Sequence, residues 1–405
     1  MSLDLGKTVL QIERMTDELR GRQNDRQRRL VSAIPGPEGF DASAYEEKRA
    51  RSRSAFNFLP SPGVNSPPSV TYESYPPRPP SDFCVAAVDG SHIDVDRHLP
   101  VKCCLINIGS CVLTYGSTPN AVLVNSPRLY ASEEELRIRS RSAPYQEQAV
   151  QGAVLGVLRA VEEIRGLVDA VRELPPDLPA LALMDGTLIM FLGRGTPDFV
   201  VEELVQRGFV RALDELRTLA SERTLALASY ISLPASSEFM SALRISACPY
   251  PVSECGQHCG RLSAGTRPCD DVAEGIFDRE VFRGILAEGE RSAVFTSSNA
   301  LVQNWYGGHG VSFYYLNVGE EMGRVEVPSW VAEDETLLGL THSLILDQCR
   351  RGPGYPISLM ESHEQAVITT SDRRYFAELV EDSLQDQKMP VYTSEKNRSK
   401  RLRWL

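Results

Sequence analysis

Two short segments of this 405-residue chain end in the same chemistry. FCVAAVDGS closes an apolar run on Asp89, and ALALMDGT closes another on Asp185; a glycine and a hydroxyl residue follow each acid at once. Continuous apolar runs of this length predict strands buried on both faces. An acid at the carboxyl end of such a strand falls where open α/β sheets place their sites, and the glycine predicts a tight turn with close backbone approach. If the two strands are parallel neighbours, their carboxylates converge, and converging carboxylates do not both stay ionised without a counter-cation. Hard oxygen donors of this kind suit Mg²⁺ or Mn²⁺. A pair of such ions stabilises the attacking and leaving oxygens in phosphodiester cleavage. Asp-Gly is also a common turn dipeptide, so the weight lies on the matched pair.

The elements needed to position these acids are legible around them. Residues 6–33 predict a charged helix, with Leu10, Ile12, Met15, Leu19 and Leu30 set among many charges, including Arg20, Arg22, Arg26, Arg28 and Arg29. AYEEKRARSRSAF is a candidate second helix within a helical arm spanning 1–59. Residues 60–80 hold eight prolines and predict an extended linker or strap. After the first acid-bearing strand, 102–109 and 110–116 predict an antiparallel meander. Residues 133–170 predict a helix with Val154, Val157, Val161, Ile164 and Val168 at helical spacing. The second acid-bearing strand follows, then a helix over 200–220 and a strand over 224–233. Residues 278–290 predict a helix, 311–330 a strand pair, and 335–352 and 362–384 the closing helices. The order strand, meander, helix, parallel strand is that of the ribonuclease H-like fold: an α/β mixed sheet flanked by helices, with the first and fourth strands side by side. That fold commonly draws a third acid from the intervening helix. Glu162 and Glu163 are the candidates, and Glu162 is preferred because it follows Leu155 and Leu158 along the sheet-facing stripe.

Composition narrows the classes. Apolar residues make up 42% and charged residues 24%, as in ordinary globular chains. No run of 18 apolar residues exists, which predicts no membrane span, and MSLDLGKTVLQIERM predicts a cytoplasmic start. A net charge of −11 excludes a uniformly basic nucleic-acid binder but leaves room for a local basic groove. Nine cysteines, several inside apolar runs, predict reduced thiols.

Taken together, VAAVDGSHIDVDRH, LALMDGTLI, ASYIS, DREVF…LAEGERSAVF, VSFYYLNVGEEMGRVEVPSWVA and DQCRRGPGYPISLMESHEQAVI resemble the bacterial NurA family, in order and spacing, from about residue 82 to about 400. The resemblance implies a ribonuclease H-like nuclease domain over 81–395 that uses Mn²⁺, or Mg²⁺, to cut single-stranded DNA endonucleolytically and DNA ends 5′–3′. It implies a homodimer working with a HerA-like hexameric ATPase in DNA end resection. It makes Asp89, Asp185, a helix Glu (Glu162 or Glu163) and His363 of ESHEQAV the catalytic metal ligands; imidazole suits Mn²⁺ better than Mg²⁺. A non-catalytic scaffold that regulates a translocase, or another ribonuclease H-like nuclease, are the alternatives.

Around this site, Arg291 and Arg324 are candidates for phosphate contacts, and Tyr306, with Tyr314 and Tyr315, for stacking on unpaired bases. His92, His98, Asp94 and Asp96 flank the first acid. An insertion near 245–275 holds Cys248, Cys255, Cys259 and Cys269. Its spacing lacks the C-x₂-C knuckle of common zinc sites, so reduced thiols are favoured over a structural Zn²⁺ or an iron–sulfur cluster. The tail, 396–405, is basic and a candidate phosphate-tracking segment.

Overall fold

The computed structural model describes residues 4–33, 40–51, 63–64, 76–95, 101–193, 195–263, 265–270 and 274–389. The basic tail, Asp96, His98 and most of the proline-rich stretch lie outside them. The chain divides into two compact units: 77–230, 300–311 and 326–405 in one, and 1–76, 231–299 and 312–325 in the other. This division does not follow the sequence boundaries at 59 and 80.

The first unit carries both aspartates. Its strands are β1 (Phe83–Ile93), β2 (Cys104–Tyr115), β3 (Asn120–Tyr130), β4 (Ala180–Asp185) and β5 (Leu225–Ile231). They lie in the order β5-β4-β1-β2-β3. β1, β2 and β3 form an antiparallel meander, and β4 runs parallel to both β1 and β5. The first and fourth strands are thus neighbours, as the ribonuclease H-like order requires. The meander is built differently from the prediction. Residues 104–115 are one strand, and its partner, β3, is exposed along nearly its whole length although Ala121–Val124 is apolar.

The helix expected over 133–170 starts only at Ala153, forming α1 (Ala153–Arg172). Upstream, Arg137–Arg139 and Glu147–Ala149 pair as a small antiparallel ribbon with an Arg137–Glu147 ion pair across it. The charges of EEELRIRSR sit on no apolar stripe there, and Pro144 interrupts the segment. α1 buries Leu155, Val157, Val161, Ile164, Leu167, Val168 and Val171 in one core with Ala86, Val88, Ile106 and Ile108 of the strands. Each such side chain contributes about 1.5–3 kcal/mol of burial. Residues 198–222 form α2, with a π-helical segment at Glu202–Val210. A Cβ on Gly208 would lie 2.8 Å from Val161 Cγ1, so glycine lets α2 press against α1. The chain closes with α3 (Glu335–Arg351), α4 (Ile357–Ala366) and α5 (Thr370–Asp386). The single helix expected over 362–384 is broken at 367–369, where Thr369 caps α5 by accepting from Asp372 N at 3.1 Å.

The second unit gathers Phe40, Tyr45, Phe239, Phe282, Phe295, Phe313 and Tyr315 into an aromatic core. Helices Leu5–Ala33 and Ala42–Arg51 belong to it: Ala33 and Tyr45 are buried, and Arg26 pairs with Glu280 at 2.5 Å. Buried Asp278 accepts from Phe239 N (3.0 Å), Met240 N (2.9 Å) and Tyr315 Oη (2.7 Å). The helix expected over 278–290 ends at Arg283. No described helix is long and apolar enough to cross a membrane.

Candidate metal centre

Register brings the two aspartates together. The parallel ladder between β1 and β4 pairs Cys84 with Ala180 and ends on Val88 with Met184. Asp89 and Asp185 are the next residue on each strand, so they share one end and one face of the sheet.

The two glycines behind them do different work. Gly186 has φ of 79° and turns the chain, with its N–H donating to Tyr230 O at 3.0 Å. Buried Glu326 then anchors the loop, accepting from Thr187 Oγ1 (2.7 Å) and Leu188 N (2.9 Å). At Gly90 there is no turn: β1 continues to Ile93. Glycine is required because Glu163 packs on it; a Cβ would sit 2.5 Å from Glu163 Oε1.

Glu163, and not the preferred Glu162, is therefore the acid of α1 that packs beside the two aspartates. Glu162 points to a surface network with Arg165 (2.8 Å) and Arg128 (3.7 Å). Glu163 is 7% exposed, and its Oε1 has no hydrogen-bond partner. Arg159 Nε lies 3.3 Å away without hydrogen-bond alignment, while its Nη1 donates to Gly90 O at 2.6 Å. Burial pushes the Glu163 carboxyl up to about 7; Arg159 opposes this, and the charges of Asp89 and Asp185 add to it. The surrounding protein likewise raises the Asp185 carboxyl, against the hydrogen bond from Tyr355 and with help from Asp89.

His363 arrives on α4. The carboxyl end of that helix is fastened to the strands: Asn107 Nδ2 donates to Gln365 O and Ala366 O, both at 3.0 Å, and Ser91 Oγ donates to Ala366 O. Gly109 allows this contact, since a Cβ there would stand 2.2 Å from Ser362 O. The result is His363 Nδ1 at 2.6 Å from Asp89 Oδ2. Tyr355, which sequence patterning does not single out, donates to Asp185 Oδ1 at 2.7 Å and sets its ring edge-on to Tyr230. Arg159 was equally unmarked, although its place one helical turn before Glu163 is a readable signal.

Other expected contacts lie elsewhere. Tyr306 is buried in the core of the same unit; its hydroxyl accepts from Met190 N (2.8 Å) and donates to Leu188 O (2.9 Å), so its ring is not a stacking platform. Tyr314 and Tyr315 are fully buried in the second unit. Arg324, also in that unit, is 3% exposed, ion-paired to Glu238 and stacked over Phe313, which leaves no free guanidinium for phosphate. Arg291, in the same unit, donates to Ser292 O at 3.0 Å and lies over the Tyr314 ring. Asp94 accepts from Gly152 N at 2.8 Å and so ties β1 to the start of α1. Burial lowers the His92 pKa, and its carbonyl accepts from Arg373 at 3.0 Å.

Among the described residues, no three His, Cys, Asp or Glu side chains stand close enough to hold one ion as they are. The donor set nonetheless fits a hard divalent cation. Three carboxylates and an imidazole meet at one sheet end, and one buried carboxylate oxygen lacks a partner. The hydrogen bonds from His363 and Tyr355 occupy the aspartate oxygens that would turn toward a metal.

A model of the NurA domain matches residues 84–368. No curated protein matches the chain. Among solved structures, the chain is similar to a crystal structure of NurA bound to dAMP and manganese, at 12% identity over 74% of this chain and 88% of that one, with a TM-score of 0.35. It is similar to a crystal structure of NurA with manganese at 11% identity, over 93% and 98% of the two chains, with a TM-score of 0.36. It is also similar to an Argonaute of Aquifex aeolicus at 11% identity, over 70% and 28%, with a TM-score of 0.26.

Proposed function

This chain belongs to the NurA family, and from that premise we propose that it is a metal-dependent DNA nuclease whose centre is formed by Asp89, Asp185, Glu163 and His363. The observation that carries the reading is the register of β1 and β4, which sets Asp89 and Asp185 side by side at one strand end. Manganese, bound by these four residues, would lower the pKa of the attacking water and stabilise the leaving oxygen of a phosphodiester.

The chain's own groups prepare that chemistry. Glu163 sits with one carboxylate oxygen unpartnered between two further acids, a cluster whose repulsion a divalent cation relieves. Tyr355 fixes the rotamer of Asp185 through its hydroxyl. His363 is exposed on its side chain and held against Asp89, so its ring stands at the solvent-facing side of the acids, where substrate approaches. Arg159 grips the Gly90 carbonyl and keeps the strand beneath Glu163 in place.

The family resemblance supports the finer reading: endonuclease action on single strands, 5′–3′ exonuclease action on ends, and work as a homodimer with a HerA-type hexameric ATPase in end resection. The decisive experiment is digestion of single-stranded DNA with Mn²⁺ by the Asp89→Ala variant. Complete loss of digestion with unchanged circular dichroism supports the site; full activity removes it.

A further inference from the structure

Four of the nine cysteines, Cys248, Cys255, Cys259 and Cys269, line a single cavity in the second unit. The nuclease chemistry makes no use of them.

The local structure delivers these thiols from separate pieces of chain. Cys248 caps the carboxyl end of helix Glu238–Ala247. Cys255 and Cys259 bracket one helical turn, with Cys259 N donating to Cys255 O at 2.9 Å. Positions four apart on a helix share a face, with Cβ atoms roughly 5–6 Å apart. Cys269 enters from the far side of the loop, where Arg244 Nη2 lies 3.8 Å from its sulfur. Arg244 itself is held by Asp270 (2.5 Å) and Glu274 (3.5 Å).

The cavity between them measures about 460 Å³ and is lined chiefly by apolar atoms. An apolar cavity of ~150 Å³ already accommodates a benzene molecule. Between Cys248 and Cys269, regular structure among the described residues is a single helical turn. A loop-rich stretch without a packed apolar filling forfeits dispersion contacts, and small segments of this kind are commonly stapled by metal.

The type of metal follows from the spacing. A lone Zn²⁺ draws its sulfurs to ~2.3 Å from one point, and no three described donors are gathered that way. Four thiols lining one cavity without converging on a single point suit a cuboidal cluster, in which each sulfur meets a different iron. We propose that Cys248, Cys255, Cys259 and Cys269 ligate a [4Fe–4S] cluster. A preassembled [4Fe–4S]²⁺ core is taken up by four cysteines that each lose one proton. The resulting site carries a net charge of −2, and no iron changes oxidation state. The Arg244 contact to Cys269 supplies the N–H···S interaction that stabilises such a centre.

The test uses the full-length chain isolated without oxygen, before and after incubation with a synthetic [4Fe–4S] thiolate complex. Expected are iron and acid-labile sulfide at about four each per chain and a visible chromophore bleached by dithionite. Cys255→Ser and Cys259→Ser should lose the chromophore, whereas Cys103→Ser, outside the cavity, should keep it. If the serine variants fail to fold, the metal and sulfide content of the unaltered chain decides. One zinc per chain without sulfide, or no bound metal in either preparation, overturns the proposal. The readout is independent of DNA cleavage, so its failure leaves the nuclease reading untouched.

Discussion

Glu163 Oε1 lies 2.5 Å from the position that a Cβ on Gly90 would occupy, with Glu163 Cγ at 2.9 Å and Arg159 Cγ at 3.1 Å. The acid and the strand glycine are a fitted pair, so Gly90→Ala should drive the carboxylate out of place. Expected are a destabilisation of about 1–3 kcal/mol from overpacking and a severe loss of nuclease activity. Urea unfolding and single-strand digestion, measured side by side, check both; a fully active Gly90→Ala would show that Glu163 has no fixed task there.

Adjacent acids on α1 should behave differently. Glu163→Gln removes a proposed metal ligand, and activity should fall by more than ~100-fold, beyond what losing an outer partner of a ligand usually costs. Glu162→Gln breaks ion pairs with the solvent-exposed guanidiniums of Arg128 and Arg165 and should stay within about threefold of the parent. Steady-state digestion rates of the two variants decide the assignment.

Acid–base behaviour offers a separate check on the metal-free protein. Glu163 rises from an ordinary 4.5 to about 7 on folding. Between those values the folded chain holds the proton that the unfolded chain has released, so stability falls as pH rises. The contribution is complete below about 4.5 and gone once pH has passed through 7; its full size is on the order of 3 kcal/mol. Urea unfolding with chelator at a series of pH values should show this slope, and Glu163→Gln should flatten it.

Tyr306→Phe separates a core role from a DNA role. The change strips a partner from Met190 N and from Leu188 O and should cost about 1–3 kcal/mol of stability. Affinity for single-stranded DNA should not move. A weakened affinity at unchanged stability would return Tyr306 to the binding surface.

Much of this could be read in advance. Asp89 and Asp185 were legible because each ends a run of buried apolar residues, and such runs have few alternatives to a central strand. His363 was legible through its resemblance motif, although the contacts that aim it, Asn107 and Ser91 to the end of α4, are tertiary and leave no periodic trace. β3 is harder to read: its apolar run, Ala121–Val124, is only four residues long, and the Asn-Ser-Pro that follows it is turn chemistry. The choice between Glu162 and Glu163 failed for a related reason: successive helical residues differ by about 100°, and the stripe through Leu155 and Leu158 places the sheet direction no more finely than that. Side-chain type alone points Arg324 and Tyr306 toward substrate, while burial claims both.

The parallel pairing of β1 with β4 joins segments far apart along the chain, and His363 is added only by α4, later in the chain still. Loop closure of that span has to be met before any donor finds its companions. A chain that has not yet emerged through α4 therefore carries Asp89 without His363, and the proposed centre is assembled only once α4 has joined β1 and β4.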